Sequence, residues 1–272
     1  MMTGANDWQA HLPSSLRDLL EEANWEADEL GCSGNAIYRV GPRYLKIAPY
    51  QRVPFLGQSA LEAEAVRLRW LHGLLPVPHV HYYAHDDQYE FLLISEIAGL
   101  VSCDQTFSDR VPEVLRLLAQ GLRMLHDVDA SGCPFDCTIA TRMEQARQYV
   151  EQNLIDPSEF NREFQGMSVR DVYELALRLR PQHEKIVLTH GDYCLPNILL
   201  DRQLERVTGF IDWGRAGLAD PYQDLALAAR SLTLNFGEQW VPLLFEAYGL
   251  PDPDQDTLRY YRAMDELTFT RA

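Results

Sequence analysis

Two short motifs in the second half of the chain carry residues suited to phosphoryl transfer. The first is His190-Gly191-Asp192, followed by Asn197 five positions after the Asp, and the second places Asp212 twenty positions after Asp192. A carboxylate can orient the proton of an attacking hydroxyl, and Asn and Asp oxygens are ligands that Mg²⁺ prefers. The spacing therefore predicts Asp192 as the catalytic residue, Asn197 and Asp212 as metal ligands, and His190 as a residue that fixes the loop.

Each motif alone also fits an ordinary turn, because Gly-Asp and Pro-Asn are common in loops. Lys46 favours the functional interpretation, since it lies mid-strand among apolar neighbours, where an unpaired ammonium group would be costly. We expect Glu64, eighteen residues later, to be its partner, as in the Lys–Glu pair that anchors phosphates in kinases. Glu62 is the alternative partner, and otherwise lies on a solvated helix face.

A glycine-containing segment precedes Lys46. Residues 31–35 read Gly-Cys-Ser-Gly-Asn, so two glycines would let backbone N–H groups approach a phosphate closely. Ser33 lies at the centre of this segment. The same residues would also make an ordinary hairpin turn.

The composition narrows the class of ligand. With 24 Lys and Arg against 40 Asp and Glu, the formal net charge is −16, which disfavours nucleic acid and attracts cations, although acidity also serves solubility. No secretion signal or apolar membrane span is present, so we expect a cytoplasmic protein without membrane partners. Five scattered cysteines predict neither a disulfide framework nor a zinc site.

The two halves of the chain differ in their secondary-structure patterns. The first half predicts strands at 35–40, 43–47, 80–83 and 90–95 and one helix at 61–74 that stops at Pro76. The second half predicts helices at 111–127, 142–153, 169–179, 223–234, 240–248 and 254–267, with short strands at 186–188, 198–200 and 207–211. The predicted fold class is α+β, with a small β-rich N-terminal lobe at 1–96 and a larger α-rich C-terminal lobe at 97–272.

The chain resembles the aminoglycoside 3′-phosphotransferases, small-molecule kinases with the two-lobed protein-kinase-like fold. The resemblance covers about residues 25–267, and the matching segments are 74–78, 125–126 with 133–135, 187–197, 209–215, 219–226 and 265–267. The Ala-Asp-Pro-Tyr-Gln-Asp run at 219–224 and the Asp-Glu pair at 265–266 are the parts most typical of the 3′ enzymes.

This resemblance implies ATP or GTP as donor, Mg²⁺, and a cationic aminoglycoside such as kanamycin or neomycin phosphorylated on its 3′-hydroxyl. It implies nucleotide contacts at Ser33, Lys46, Glu64 and the backbone of Ser95 to Ile97, and antibiotic contacts at Glu159, Glu163, Arg215, Arg230, Asp265 and Glu266. Glu159 and Glu163 also fit a solvated surface. Asp220 and Asp224 are expected to brace the catalytic loop. A monomer or a dimer is compatible with the sequence.

Two departures from the family pattern concern the acceptor site. Leu267 is followed by five more residues, including Arg271, where relatives commonly end, and Ser231 stands where some relatives have Asp. An alternative function is therefore a kinase of another small cationic or hydroxylated metabolite. A catalytically silent binding protein is a third hypothesis, disfavoured because Lys46, Asp192, Asn197 and Asp212 are all present.

Overall fold

The computed structural model describes residues 7–20, 24–27, 36–53, 55 and 57–268. They form two compact units, one that ends at Ile97 and one that begins at Ala98. The first is mainly β-sheet and the second mainly helical, which confirms the predicted α+β class. Within these ranges, no helix has both the length and the apolar character that crossing a membrane requires.

The N-terminal unit is built on a five-stranded antiparallel sheet. In spatial order its strands are β1 (Trp25–Ala27), β2 (Ala36–Val40), β3 (Arg43–Pro49), β5 (Tyr89–Ser95) and β4 (Val80–His85). Helix α1 (Ser14–Leu20), which the sequence patterns did not predict, buries Leu16 and Leu20 in a cluster with Leu45 and Ile47 of β3. Because side chains alternate along a strand, Lys46 points to the opposite face.

Helix α2 (Ala60–Leu71) packs against β3, β4 and β5. Ser59 caps its N-terminus, and the buried carboxylate of Glu90 accepts the N–H groups of Leu61 and Glu62 at 3.2 and 3.3 Å. The predicted end at residue 74 is wrong. The helix ends at Leu71 because Gly73 adopts a left-handed φ of 85°, so glycine rather than Pro76 stops it.

Helices form most of the C-terminal unit. They are α3 (Val111–His126), α4 (Ile139–Glu151), α5 (Val169–Leu179), α6 (Tyr222–Asn235), α7 (Val241–Tyr248) and α8 (Gln255–Thr268). Helix α4 begins three residues before its predicted start, where Glu184 accepts the otherwise unpaired N–H of Ile139, its first residue, at 3.0 Å. Leu267, near the end of α8, is fully buried.

Short strands position the predicted catalytic motifs. Strand β8 (Ile198–Leu200) pairs with β6 (Leu100–Val101) and β9 (Val207–Phe210), and β7 (Val187–Thr189) pairs with β10 (Gly217–Ala219). The sequence patterns missed β6 and β10, which have only two and three residues. The two small sheets fix both ends of the segments that carry Asp192 and Asp212.

Candidate active site

Lys46 and Glu64 form a buried ion pair in the N-terminal unit. Lys46 Nζ donates to Glu64 Oε1 at 2.8 Å and to Oε2 at 2.9 Å, and the two residues are only 9% and 5% exposed. This confirms Glu64, not Glu62, as the partner of the lysine. A buried ammonium group held by both carboxylate oxygens has a fixed position, which a phosphate-anchoring residue requires.

The other predicted nucleotide contacts are partly described. Ser33 and the glycine segment around it lie outside the described residues. Ser95 ends β5, where its N–H donates to the carbonyl of His79 at 2.9 Å and its Oγ accepts the N–H of His79 at 2.8 Å. Among the described residues, none accepts the N–H of Ile97. The N–H of Ile97, two residues beyond the end of β5, is thus available as a backbone donor, as the predicted base contact requires.

Asn197 holds the predicted catalytic carboxylate. Its Nδ2 donates to the backbone carbonyl of Asp192 at 3.0 Å and to Asp192 Oδ2 at 3.1 Å. Asn197 lies in a 3₁₀ turn, Leu195–Asn197, and is nearly buried, whereas Asp192 is half-buried. In the described part of the chain no hydrogen bond reaches Asn197 Oδ1, so this oxygen is left as an acceptor for a hard cation.

The second predicted metal ligand lies beside the first. The N–H of Ile211 donates to the backbone carbonyl of Asn197 at 3.0 Å, and Ile198 pairs with Phe210, so Asp212 follows directly on this contact. Asp212 adopts a left-handed φ of 63°. This backbone conformation is unfavourable for residues other than glycine, and such residues are common at functional sites. The described residues contain no cluster of three His, Cys, Asp or Glu suited to a metal. One Asn and one Asp fit Mg²⁺, which takes its remaining ligands from water and phosphate.

His190 fixes the catalytic loop, as predicted. It is fully buried, its Nε2 hydrogen-bonds to the carbonyl of Ile211 at 3.0 Å, and its ring lies 4.4 Å from that of Trp213. Burial lowers the pKa of His190, which opposes a charged imidazole. A neutral, enclosed ring ties Asp192 to the segment of Asp212.

Asp224 is the main brace of the loop. Its fully buried carboxylate accepts the N–H of His190 at 2.8 Å and the N–H of Gly191 at 2.9 Å. This confirms the bracing role predicted for Asp224. The same role predicted for Asp220 is wrong, because its carboxylate accepts the N–H groups of Lys185, before β7, and of Tyr222, not those of the catalytic loop.

Two serines hold the 3₁₀ turn in place; the family pattern placed Ser231 near the acceptor, and Ser102 was not considered. Ser231 Oγ accepts the N–H of Leu195 at 2.9 Å, and Ser102 Oγ donates to the carbonyl of Leu195 at 2.8 Å. Both serines are buried. Ser231 therefore supports the catalytic loop, and its hydroxyl is engaged there. For Ser102 the only sequence signal was a hydroxyl side chain after the apolar run at 100–101.

We expect Gly191→Ala to destabilise the protein and inactivate the loop. Gly191 has a φ of 77°, and an added Cβ would lie 2.2 Å from the backbone oxygen of Arg215. The left-handed conformation alone costs about 1–3 kcal/mol, and the backbone clash adds to it. Denaturant unfolding and turnover measure both effects.

Gly41→Ala is the matched control for this substitution. Gly41 has a similar φ of 61°, but nothing lies within 4 Å of an added Cβ. Its replacement tests the conformational cost without the clash. An equal loss of stability in the two variants would contradict a tight fit between the loop and Arg215.

Four of the predicted antibiotic contacts form one buried ionic network. Asp265 pairs with Arg215 and with Arg230, the latter at 2.6 Å, and Arg230 also lies 3.6 Å from Glu266 Oε1. Glu266 accepts the backbone N–H of Asn161 at 3.1 Å and also the Asn161 side-chain amide. The network joins α8 to α6 and to the segment that follows Asp212.

The charged groups in this network change the pKa values of its two carboxyl groups. Burial alone would raise the pKa of Asp265, but Arg215 and Arg230 outweigh it and hold that pKa below its usual range. Burial raises the pKa of Glu266, opposed by its hydrogen bonds with Asn161. Two arginines thus compensate two carboxylates, so the network is close to neutral when all four groups are charged.

Glu159 and Glu163 lie on the surface of the C-terminal unit. Glu159 is exposed at the end of the 3₁₀ turn Pro157–Glu159. Glu163 is paired with Arg262 at 2.6 Å and with Arg259 at 3.2 Å, both on α8. The negative charge of Glu163 is therefore already matched within the chain, whereas that of Glu159 faces solvent.

The amino-acid sequence is similar to those of known phosphotransferases over almost its whole length. The sequence pattern of the phosphotransferase enzyme family matches residues 29–267. An aminoglycoside 3′-phosphotransferase of Niallia circulans is 35% identical over 267 residues, covering 96% of this chain and 99% of that protein. The chain belongs to the aminoglycoside 3′-phosphotransferase family. This confirms the resemblance drawn from the sequence motifs.

Solved structures of aminoglycoside phosphotransferases share the fold. A type VIII aminoglycoside 3′-phosphotransferase matches with a TM-score of 0.79 and 31% identity, over 94% of this chain and 99% of that one. A 3″ enzyme of Streptomyces rimosus, solved with ADP and streptomycin, matches with a TM-score of 0.77 and 30% identity, over 97% and 99%. The predicted kinase-like fold class of the family is thereby confirmed.

Proposed function

We propose that this protein transfers the γ-phosphate of ATP to the 3′-hydroxyl of an aminoglycoside antibiotic such as kanamycin or neomycin, and thereby confers resistance. The observation that carries the proposal is the arrangement of Asp192, Asn197 and Asp212. Asn197 donates a hydrogen bond to the carboxylate of Asp192. Its own backbone carbonyl accepts the N–H of Ile211, the residue before Asp212. Curated relatives at 30–35% identity bear the name of this activity.

Asp192 is the catalytic residue in this proposal. Its half-buried carboxylate would accept a hydrogen bond from the acceptor hydroxyl and so align the attacking oxygen, a task that needs position more than strong basicity. Asn197 supports this task because its amide donates to Asp192 Oδ2. The buried braces of the loop keep both residues in place.

Asn197 Oδ1 and the carboxylate of Asp212 would hold Mg²⁺, which neutralises phosphate charge when it is bound. Lys46, fixed by Glu64, would anchor the α- and β-phosphates of the nucleotide. Ser33 and the backbone of Ser95 to Ile97 remain proposed nucleotide contacts. ATP is favoured by the ADP in the Streptomyces rimosus structure, and GTP remains the alternative donor.

The acceptor is proposed to be a polycation. The net charge of −16 favours the approach of a cationic ligand. Asp265, Glu266, Arg215 and Arg230 are proposed to line its site, and the exposed carboxylate of Glu159 is proposed to attract ammonium groups. Because Glu163 is paired with Arg259 and Arg262, its contribution would require that pairing to open.

A 3″-hydroxyl is a second candidate position for the transfer. A second structure of the 3″ enzyme of Streptomyces rimosus has a TM-score of 0.81, slightly above the 0.79 of the type VIII 3′ enzyme. Sequence relatives favour the 3′ position, since those at 30–35% identity carry the 3′ name. Another small cationic or hydroxylated metabolite is the remaining alternative acceptor.

The test measures Mg²⁺-dependent ATP consumption with kanamycin, with its 3′-deoxy analogue tobramycin, and with streptomycin. Turnover with kanamycin and not with tobramycin supports transfer to the 3′-hydroxyl, and NMR of the product checks the phosphorylated position. Turnover with streptomycin alone would favour the 3″ candidate. Absence of turnover with all three, despite nucleotide binding, would overturn the proposed acceptor class.

We expect Asp212→Asn to weaken the use of Mg²⁺. The substitution keeps the shape of the side chain but removes the anionic oxygen, so the Mg²⁺ concentration for half-maximal turnover should rise at least about tenfold. A Mg²⁺ titration of turnover measures it. Asp252→Asn, at an exposed position of the same unit, is the control. An unchanged titration curve would contradict the assignment of Asp212 as a metal ligand.

Two further predictions belong to this proposal. The protein is expected to act in the cytoplasm, where its nucleotide donor is found, as a monomer or a dimer. No nucleic-acid partner is expected from its acidic composition, and no membrane partner is expected from a sequence without a long apolar run.

A further inference from the structure

The two carboxylate oxygens of Asp192 have different neighbours within the loop. Oδ2 accepts a hydrogen bond from the side-chain amide of Asn197, the predicted metal ligand five residues later. Oδ1 lies 3.1 Å from Cys194 Sγ, in the geometry of an S–H···O hydrogen bond. The thiol of Cys194 is thus the second group that contacts the Asp192 carboxylate.

We propose that Cys194 is a positioning residue whose S–H group donates to Asp192 Oδ1 and fixes the orientation of the catalytic carboxylate. The inference rests on the proposed function, in which Asp192 aligns the acceptor hydroxyl. With Asn197 on one oxygen and Cys194 on the other, rotation of the carboxylate would break one bond or both. A carboxylate held in this way meets the acceptor hydroxyl in one orientation.

The backbone around Cys194 leaves its thiol little freedom. The N–H of Cys194 donates to the carbonyl of Asp192 at 2.8 Å, which closes a tight turn between the two residues. The next residue, Leu195, is held by Ser231 and Ser102. The position of the sulfur relative to Asp192 is therefore set by the braced loop.

The chemistry of a thiol suits this role. A thiol is a weak donor, so it can orient a carboxylate without strongly reducing its ability to accept a second hydrogen bond. An ordinary thiol is mostly protonated at neutral pH, so its S–H group is available as the donor.

The first test compares steady-state kinetics of Cys194→Ala and Cys194→Ser, with kanamycin and ATP. Loss of one hydrogen bond predicts a fall in kcat of about fivefold for Cys194→Ala, with KM for ATP within about twofold of the parent value. Cys194→Ser keeps a donor and should retain kcat within about twofold. Cys103→Ala, at another partly exposed cysteine, is the control and should retain full activity.

Rescue by serine separates positioning from packing. A loss of kcat in Cys194→Ala that Cys194→Ser shares equally would overturn the proposal, as would unchanged kcat in Cys194→Ala. Thermal unfolding of the three variants checks that the fold is retained, and a lower kcat in Cys194→Ala with an unchanged Tm is the supporting result.

A second measurement does not depend on the acceptor. Crystal structures of the parent protein and the two Cys194 variants report the orientation of the Asp192 carboxylate whether or not kanamycin is phosphorylated. We expect one orientation of the Asp192 carboxylate in the parent and in Cys194→Ser. In Cys194→Ala we expect the carboxylate to be rotated or to occupy two orientations. The same single orientation in all three would overturn the role of Cys194, whereas failure with kanamycin alone would overturn only the proposed acceptor.

Discussion

Replacing Asp192 with Asn is expected to lower kcat by about 10²–10⁴-fold while nucleotide affinity stays near that of the parent. The amide keeps the size of the side chain, and the buried braces of the loop, from Asp224, Ser102 and Ser231, do not depend on its charge. What is lost is the anionic oxygen that aligns the acceptor hydroxyl. Steady-state kinetics and a separate nucleotide-binding titration measure the two quantities.

The control for this prediction is Asp109→Asn, an equivalent change at an exposed position of the C-terminal unit. Its kcat should be that of the parent. Near-normal turnover in Asp192→Asn would remove the catalytic assignment. An equal loss of nucleotide affinity and kcat would instead indicate that Asp192 mainly maintains the loop.

Asp265→Ala is expected to give the largest loss of stability, about 3–5 kcal/mol. Asp265 is only 5% exposed, and its carboxylate lies between Arg215 and Arg230. Removing this buried carboxylate leaves the two partly buried guanidinium groups of Arg215 and Arg230 with one fewer anion and with repulsion between them. Equilibrium unfolding in denaturant at neutral pH measures the difference.

Glu163→Ala is the matched comparison, because Glu163 also pairs with two arginines but lies on the surface. A solvent-exposed ion pair contributes at most about 1 kcal/mol. The two variants therefore test whether burial, rather than the number of ionic contacts, determines the effect. Similar losses in both would contradict the interpretation of Asp265 as the centre of a buried network.

The buried ionic network also affects how the acceptor site is understood. Asp265 and Glu266 are typical antibiotic contacts by resemblance, yet here both are hydrogen-bonded or ion-paired inside the chain. If they bind ammonium groups, the ligand must share carboxylates that already hold α8 against α6 and the segment of Arg215. Substitution at these positions is therefore expected to change stability as well as acceptor KM.

The sequence by itself was sufficient to predict the candidate catalytic and metal-binding residues and most of the helices and strands that carry them. The spacing of Asp192, Asn197 and Asp212 was informative because all three lie in short segments that the fold brings together. Helical and strand periodicity predicted α3, α5 and β8 closely, since long apolar faces and short apolar runs leave clear patterns. Lys46 within an apolar strand required a partner, and a helix eighteen residues later offered Glu64.

Only the tertiary structure decided which polar residues support that chemistry. Ser102 and Leu195 are 93 residues apart, and Asn161 and Glu266 are 105 apart, so no local pattern relates them. The assignment of Ser231 to the catalytic loop and of Glu163 to α8 likewise depended on which helices pack together. Side-chain hydrogen bonds between distant segments form only after the core has fixed their backbones, so local periodicity carries no record of them.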